Sequence, residues 1–595
     1  NRKGYDTIWD HGVVWSNLYG IYMDEGSMQV QNTVIGAFGS GRRAYYYRER
    51  SVSDVFDCDY NNIYLTDGAY AGYLDSLAGT DYDIIYENAS RWIRDFGVDR
   101  HSLSHDPLFA DAANRDFHLQ TQAPDGRYVH GLGFATNDLV TSPLIDAGNP
   151  LSDASSEPHP SGARVNIGLY GNSDQASQTP TNSMLTVVSL SSGGRVEGIS
   201  DLVWVSSGDV TGHTVTIEYS SNGGLTWTTL VSGVDASISA WTWDTTQFED
   251  SAIGQWRITS EDDPAVSDTN DVLFAVRNAP LAFYVNDLSD SGDIYTSVIG
   301  NSTNNGLSPL SPQISVQYIL DAYDLEPGDT IYVDTGSYTL TTEIMASFLD
   351  SGTATNLVSI QGSTSDVSRT IFTAFGVANA FTLDDVWGFV LRNMTIRNAS
   401  TAGVYMNRAW HSGAEWVICE NSGRDGFRVR ESVSTFLNHC IARASIRHGV
   451  WNESSPGTEW INGIVWSNVN GINIEGGSIK VENSVLSALN SQQQAYRYVT
   501  GTLTSDYNNI YRKNGGFAGI VVAEGIYTTK YDSASSWTAT FGYDGSSLSS
   551  EPGFWNADGG DYHLRSPSGR YQPGSGFVTN PLEGASLLID AGNPS

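Results

Sequence analysis

Residues 464–488 read "IVWSNVNGINIEGGSIKVENSVLSA", and residues 13–37 read "VVWSNLYGIYMDEGSMQVQNTVIGA". The two stretches lie 451 positions apart, and their differences are physically ordered. Val13/Ile464, Leu18/Val469, Met28/Ile479 and Ile35/Leu486 exchange one apolar side chain for another. Between them Gln29/Lys480 and Gln31/Glu482 change charge. Apolar conservatism interleaved with free polar variation predicts strands with one buried face.

The correspondence extends outward from there. Gly4 matches Gly449, "DYNNIY" at 59–64 matches 506–511, and "LIDAGNP" at 144–150 matches 588–594. "DPLFADAANRDFHL" at 106–119 matches "EPGFWNADGGDYHL" at 551–564. A unit of roughly 445 residues repeats, and the chain holds one unit plus about 150 residues of another. A shorter period runs inside it. Gly403, Gly426, Gly449 and Gly471 are spaced 23, 23 and 22, and each opens an alternating run: "GVYM", "GFRV", "GVWN", "GINI". Ile396, Cys419, Ile441, Val465 and Val485 form a parallel apolar series. Short strands at this period predict a β-solenoid, in which successive turns lie about 4.8 Å apart and apolar side chains stack in files.

On these residues the chain resembles the right-handed parallel β-helix proteins of the pectate-lyase-like superfamily. "SVQYILDAYDLEPGDTIYVDTGSYTL" (315–340) is similar to that superfamily's opening segment. Val316, Ile319, Leu320 and Tyr323 share one helix face, which would cap the coil near 314–325. Residues 284–312 and 142–173 resemble the polar lead-in and the closing segment of giant bacterial surface proteins of this kind. Between the coils "TVTIEYSSNGGLTW" (214–227), "AWTWD" (240–244) and "GQWRITSEDD" (254–263) read as short strands, with a hairpin turn at Asn222-Gly223. They resemble a fibronectin type III or immunoglobulin-like spacer. The expected fold is all-β: right-handed parallel β-helix (solenoid) domains separated by a small β-sandwich domain. Residues 1–174 would be the C-terminal part of a first β-helix, 175–280 the sandwich, and 281–595 a second β-helix with its closing segment truncated. Such a window would begin and end in mid-coil, as part of a longer polymer.

Composition narrows the function. The chain carries 67 Asp+Glu against 31 Lys+Arg, a net charge of −36, which repels nucleic acid and anionic membranes. Three cysteines are too few for a disulfide framework, and no apolar run is long enough for a membrane span. The resemblance implies a search for lyase or hydrolase chemistry. None of the four Lys falls in an acidic constellation, and "RHG" (447–449) faces "RKG" (2–4) in the other copy. No catalytic set is assigned. Asp116/Asp561, His118/His563 and Asp106/Glu551 are kept in both copies, and read as satisfying turns and strand edges. Asp59/Asp506, Asn61/Asn508 and Asn62/Asn509 read as a stacked structural turn.

Two binding candidates remain. Tyr45 and Tyr47 align with Tyr496 and Tyr498, and alternate Tyr would form either a sugar-stacking platform or packed core. Asp287, Asp290 and Asp293 offer hard oxygen ligands that would suit calcium, the one cofactor the sequence suggests; none is required. The expected role is a non-catalytic structural segment of an extracellular or cell-surface stalk, filament or adhesin. Its partners would be neighbouring repeat units or copies of itself, with polysaccharide contact. The alternatives are a polysaccharide lyase or glycoside hydrolase of the β-helix superfamily, and a glycan-binding adhesin with no polymerising role.

Overall fold

A computed structural model describes residues 2–48, 55–75, 83–86, 88–96, 98–136, 138–162, 164–365, 369–522, 528–572, 576–579 and 584–593. The chain is all-β and divides into two compact units, Asn1–Ala279 and Pro280–Ser595.

The second unit is a parallel β-helix of three faces. On the first face Thr330–Val333, Val358–Gln361, the start of Phe389–Arg397, the start of Gly413–Glu420 and Phe436–Asn438 pair in parallel, one turn on the next. The second face runs from Gly336–Leu340 through Thr370–Ala374 to Ile441–Arg443, Ile464–Trp466, Val485–Ala488 and Asn509–Arg512. The third runs through Asn379–Asp384, Ala402–Asn407, Asp425–Arg430 and the first halves of His448–Ile461, Asn470–Glu482 and Gln494–Asp506. Val465, Ile472, Ile474 and Val481 of the opening stretch all point into the core, fully buried.

The glycine ladder is a packing requirement. A Cβ on Gly403 would meet the carbonyl O of Gly426 at 2.9 Å, one on Gly426 that of Gly449 at 2.7 Å, and one on Gly449 that of Gly471 at 2.8 Å. Each turn thus sets its backbone where the turn below would otherwise carry a side chain. The apolar series needs a correction. Ile396 and Cys419 pair in register, but Cys419 pairs with Ala442, and Val465 with Leu486. Ile441 and Val485 belong to the neighbouring outward file, because a slip of one residue moves a side chain to the other face. Leu18 and Val469 likewise lie outward, 57% and 37% exposed.

Helix α1 spans Ala89–Phe96, α2 Val316–Ala322 and α3 Ala534–Phe541. The expected cap is α2: Ser315 accepts from the Tyr318 N–H at its N-terminus, and Val316, Ile319 and Leu320 are buried. The sequence reading did not anticipate α1 and α3, which serve the other end of the coil. Trp92 of α1 stacks on Tyr45 at 4.9 Å between ring centroids, and Trp537 of α3 on Tyr496 at 5.4 Å. Both Trp are fully buried. The "DYNNIY" turns tie these ends down. The Asn61 amide donates to Val30 O at 2.9 Å and to Asp99 Oδ1 at 3.0 Å. Asn508 repeats this with Val481 O and Asp544 Oδ1, both at 3.0 Å.

In the first unit the coil keeps the same three faces, for example Val13–Trp15 on Val34–Gly36 on Asn62–Tyr64. Residues 184–276 form mainly antiparallel sheets, with Arg195–Val196 parallel to Phe274–Val276, around a buried cluster that includes Trp204, Trp243 and Trp256. These tryptophans are fully buried core. Val188, Val203 and Val205 pack into a second cluster with Val34, Leu103 and Ile167 of the coil. Cys58, Cys419 and Cys440 are buried free thiols. Among the described residues no helix is long and apolar enough to cross a membrane.

Gly449→Val should destabilise the second unit by about 3 kcal/mol through overpacking. Gly545→Ala, where nothing lies within 4 Å of the added Cβ, should be near neutral in the same urea titration. Equal effects would contradict the ladder.

Candidate functional site

Outward positions of the third face lie in register, so chemistry placed on one turn repeats along the coil axis. One file of the second unit reads Tyr405, Arg428, Trp451, Asn473 and Arg497, each the register partner of the next. Two positions along runs Asn407, Arg430, Glu453 and Glu475. Arg424 and Arg447 stand just before the strands of their turns, 23 residues apart.

Trp451 organises the patch. The guanidinium carbons of Arg428, Arg447 and Arg424 lie 4.2, 4.8 and 5.9 Å from its ring. Trp451 itself is only 6% exposed, so the surface shows guanidinium groups rather than indole. Stacking holds a guanidinium by its flat face and leaves its N–H edges available for another acceptor. Arg428 is also held by Glu453 Oε2 at 2.6 Å and stacks 5.2 Å from Tyr405. Arg497 donates to Asn473 Oδ1 at 2.6 Å. No ion pair is formed by Arg424 or Arg447 among the described residues.

Beneath the arginines lie Asp425 and His448, register partners on adjacent turns and 0% and 1% exposed. Among the described residues, neither ring nitrogen of His448 has a hydrogen-bond partner. The Asp425 carboxylate has no side-chain partner, only the His448 backbone N–H beside it, which donates chiefly to Arg424 O. Burial pushes the Asp425 carboxyl up to about 6, against a smaller downward pull from Arg424, Arg447 and Arg428. Burial first, then Arg447, Arg497, Arg424 and Arg428, drives His448 down to about 2 and keeps it neutral. The result is a positively charged strip whose chemistry suits an anion. The titrating carboxyl below it has no accessible surface.

The first unit carries a different outward ladder at the matching place. Tyr22, Tyr46 and Tyr73 stack with centroids 4.8 and 4.9 Å apart, and Arg43 lies 4.1 Å over Tyr73. This corrects the tyrosine reading. Tyr45 and Tyr496 are fully buried and Tyr47 is 4% exposed, so none of them offers a face to a sugar. Tyr498 is half-buried, donating to Gly501 O at 2.5 Å. In "AYYYR" the outward tyrosine is the middle one.

In the acidic lead-in the Asp287 and Asp293 carboxylates are taken up by hydrogen bonds within the second unit. Asp287 accepts from the Ser289 and Ser337 amides at 2.7 and 2.9 Å, and Asp293 accepts from the Asn286 amide at 2.7 Å. Among the described residues no three His, Cys, Asp or Glu side chains gather to hold an ion, and Asp290 joins no such group. The repeated Asp–His pairs are local bonds: His118 Nδ1 lies 2.6 Å from Asp116, and His563 Nδ1 2.7 Å from Asp561. His118 is buried beneath Tyr170, whereas His563 borders a concavity of about 830 Å³ with Trp416, His439 and Tyr571. Trp416 stacks on His439 at 4.2 Å. The sequence reading missed the arginine strip, although Arg424 and Arg447 carry the same 23-residue spacing as the glycine ladder.

No family model matches the chain, and no curated protein matches it. Among solved structures, ORF18 of Geobacillus virus E2 is similar over 41% of this chain and 61% of its own, at 13% identity and a TM-score of 0.24. The match thus spans less than two thirds of the viral protein. The A-module of Azotobacter vinelandii mannuronan C-5 epimerase AlgE4 is similar over 38% of this chain and 81% of its own, at 13% identity and a TM-score of 0.23. For the Yersinia enterocolitica family 28 exopolygalacturonase the shares are 57% and 87%, at 11% identity and a TM-score of 0.20. Likeness this weak says nothing of activity.

A carboxyl whose pKa is raised on folding stabilises the protein only while protonated. The native state then binds the proton more tightly than the unfolded chain, so stability falls as pH rises from about 4 to 6. Asp425→Asn should therefore gain about 2 kcal/mol over the wild type at pH 8 and nothing at pH 4, measured by urea unfolding. A loss at pH 8 would show that the arginines hold the carboxylate charged.

Proposed function

We propose that the chain is a structural β-solenoid that holds a linear acidic polysaccharide along the third face of its coil. It would belong to a large extracellular or cell-surface protein built from repeats of the unit. The observation that carries this reading is the gathering of Arg424, Arg428 and Arg447 on Trp451 in a chain of net charge −36. Over most of such a surface the field excludes anions, so an anionic ligand is held only where cations are fixed together. A uronate polymer carries one carboxylate per ring, and a planar guanidinium accepts a carboxylate through two parallel N–H donors. Stacked arginines on successive turns suit a polymer better than a single small anion.

The architectural side of the proposal rests on the repeat. A scaffold written twice, with the outward ladder changed from Arg–Trp to Tyr, reads as a track whose binding varies along its length. In this reading residues 1–174 and 281–595 are coil, and 175–280 is a fibronectin III or immunoglobulin-like sandwich acting as a spacer between coils. Neighbouring units or further copies of the chain would be its partners. No cofactor is needed for guanidinium–carboxylate binding.

A polysaccharide-cleaving enzyme is the second reading. It is favoured by one observation: Asp425, with its carboxyl near 6, lies beside His448 directly under the arginines. A carboxyl titrating there is suited to proton donation. Its burial under Arg424 and Arg447 argues for a binding role instead.

Affinity electrophoresis in polygalacturonate and alginate gels, against neutral dextran, tests the proposal. The wild type should be retarded by the acidic polymers only. Arg424→Ala/Arg447→Ala, checked for folding by circular dichroism, should bind at least tenfold more weakly, and Trp416→Ala should bind normally. Binding should weaken with added salt and persist in EDTA. Retardation by dextran, or loss in EDTA, would replace the arginine account with a neutral-sugar or calcium-bridged one. Release of unsaturated uronates at a catalytic rate would favour the enzyme.

A further inference from the structure

Asp425 opens the third-face strand Asp425–Arg430, with Ala402 as register partner on the preceding turn and His448 on the following one. It is fully buried, so a ligand on the surface cannot touch it. The charged and titratable groups around it belong to the strip. Arg424 and Arg428 stand on its own turn, and Arg447 and His448 on the following turn. Arg497 lies two turns beyond His448. The preceding turn contributes the apolar Ala402 and the phenol of Tyr405, which faces Arg428. His448 is held neutral by burial and by the arginines, so it cancels none of the charge on an ionised Asp425. Glu453 is already committed to Arg428 at 2.6 Å. Arg424 and Arg447, which form no ion pair among the described residues, are therefore the guanidinium groups left for an anion. They are also the groups that a negative charge beneath them offsets, at a range too short for salt to screen.

We propose that Asp425 is a proton gate for the arginine strip: the acidic polymer is held tightly while the carboxyl is protonated and loosely once it ionises. The inference rests on the reading of the strip as a polymer site and adds its regulation. An ionised Asp425 and a polymer carboxylate compete for the same two guanidinium groups from opposite sides. A protonated Asp425 leaves the full charge of Arg424 and Arg447 facing outward. Proton and polymer are thus coupled ligands, and the coupling is reciprocal: each raises affinity for the other by the same factor. The sign follows from the free protein, in which the carboxyl titrates near 6. Affinity rises as pH falls through that value, and binding at neutral pH takes up protons. Asp425 touches no sugar in this scheme; it is a positioning residue that acts through the arginines above it.

The test is affinity electrophoresis of the full chain in polygalacturonate gels at constant ionic strength, at about pH 5.5 and about pH 8, where a sugar carboxylate of ordinary acidity stays ionised. The wild type should bind about tenfold more tightly at the lower pH. Asp425→Asn, which mimics the protonated carboxyl, should bind at both pH values as tightly as the wild type does at the lower one. Titration calorimetry at neutral pH, in buffers of different ionisation heat, should show proton uptake by the wild type and none by the variant. His563→Ala, which alters a histidine bordering the concavity beside Trp416, should keep the wild-type profile. A flat wild-type profile, an Asp425→Asn profile as steep as the wild type's, or a slope lost in His563→Ala would overturn the gate and leave polymer binding standing. No retardation of wild type or Asp425→Asn at either pH would remove the polymer reading itself, and the gate with it.

Discussion

Parallel strands stacked in register leave about 4.8 Å between one turn's backbone and the next. Everything else in this protein follows from that spacing. Where a turn bends inward, the carbonyl of the turn above takes the place a Cβ would need, as at Gly403, Gly426 and Gly449. Where the side chain points inward, it must match those above and below, which is why Ile396, Cys419, Ala442, Val465 and Leu486 are all apolar and all buried. A coil built this way has no lateral core to spare, and its ends are its weak points. The buried Trp92 and Trp537, with their helices, and the Asn61–Asp99 and Asn508–Asp544 pairs are the repeated answer at one end.

The same register makes the outward surface one-dimensional. A residue type repeated at one outward position becomes a line of chemistry along the axis. In the second unit that line is Tyr405, Arg428, Trp451, Asn473 and Arg497; in the first it is Tyr22, Tyr46 and Tyr73. Trp451 is central because it converts flexible arginines into a fixed array. Held within 4.2 to 5.9 Å of the indole ring, the guanidinium groups would lose less freedom on meeting a carboxylate than free side chains would. In the proposed function the surrounding acidic surface would sharpen selectivity, since its field repels anions elsewhere.

How far this was legible depends on period and on phase. Period survives loop insertions, so the glycine ladder was readable, and the apolar spacing of Val316, Ile319 and Leu320 showed the buried face of helix α2. Phase does not. Ile441 and Val485 were placed in a file that belongs to Ala442 and Leu486, and Tyr45 and Tyr47 were offered as an outward pair although the outward-pointing residue between them is Tyr46. In each case the error is a single residue, and in a period-2 structure one residue is the difference between core and surface. The arginine strip escaped for another reason. Comparison of the two long repeats favours what both copies keep, whereas this outward file changes between copies: Asn473 and Arg497 stand where Tyr22 and Tyr46 do. The short repeat held the signal, because Arg424 and Arg447 keep step with the glycines.

The central claim is that acidic polymer lies along the third face, anchored on the arginines around Trp451. A structure of the chain with a bound oligogalacturonide tests it most directly. The account predicts a ligand running parallel to the coil axis from Tyr405 toward Arg497, with sugar carboxylates within hydrogen-bonding distance of Arg424, Arg428 or Arg447. A ligand seated instead in the concavity between Trp416 and His563, or one whose carboxylates avoid the arginines, would contradict it.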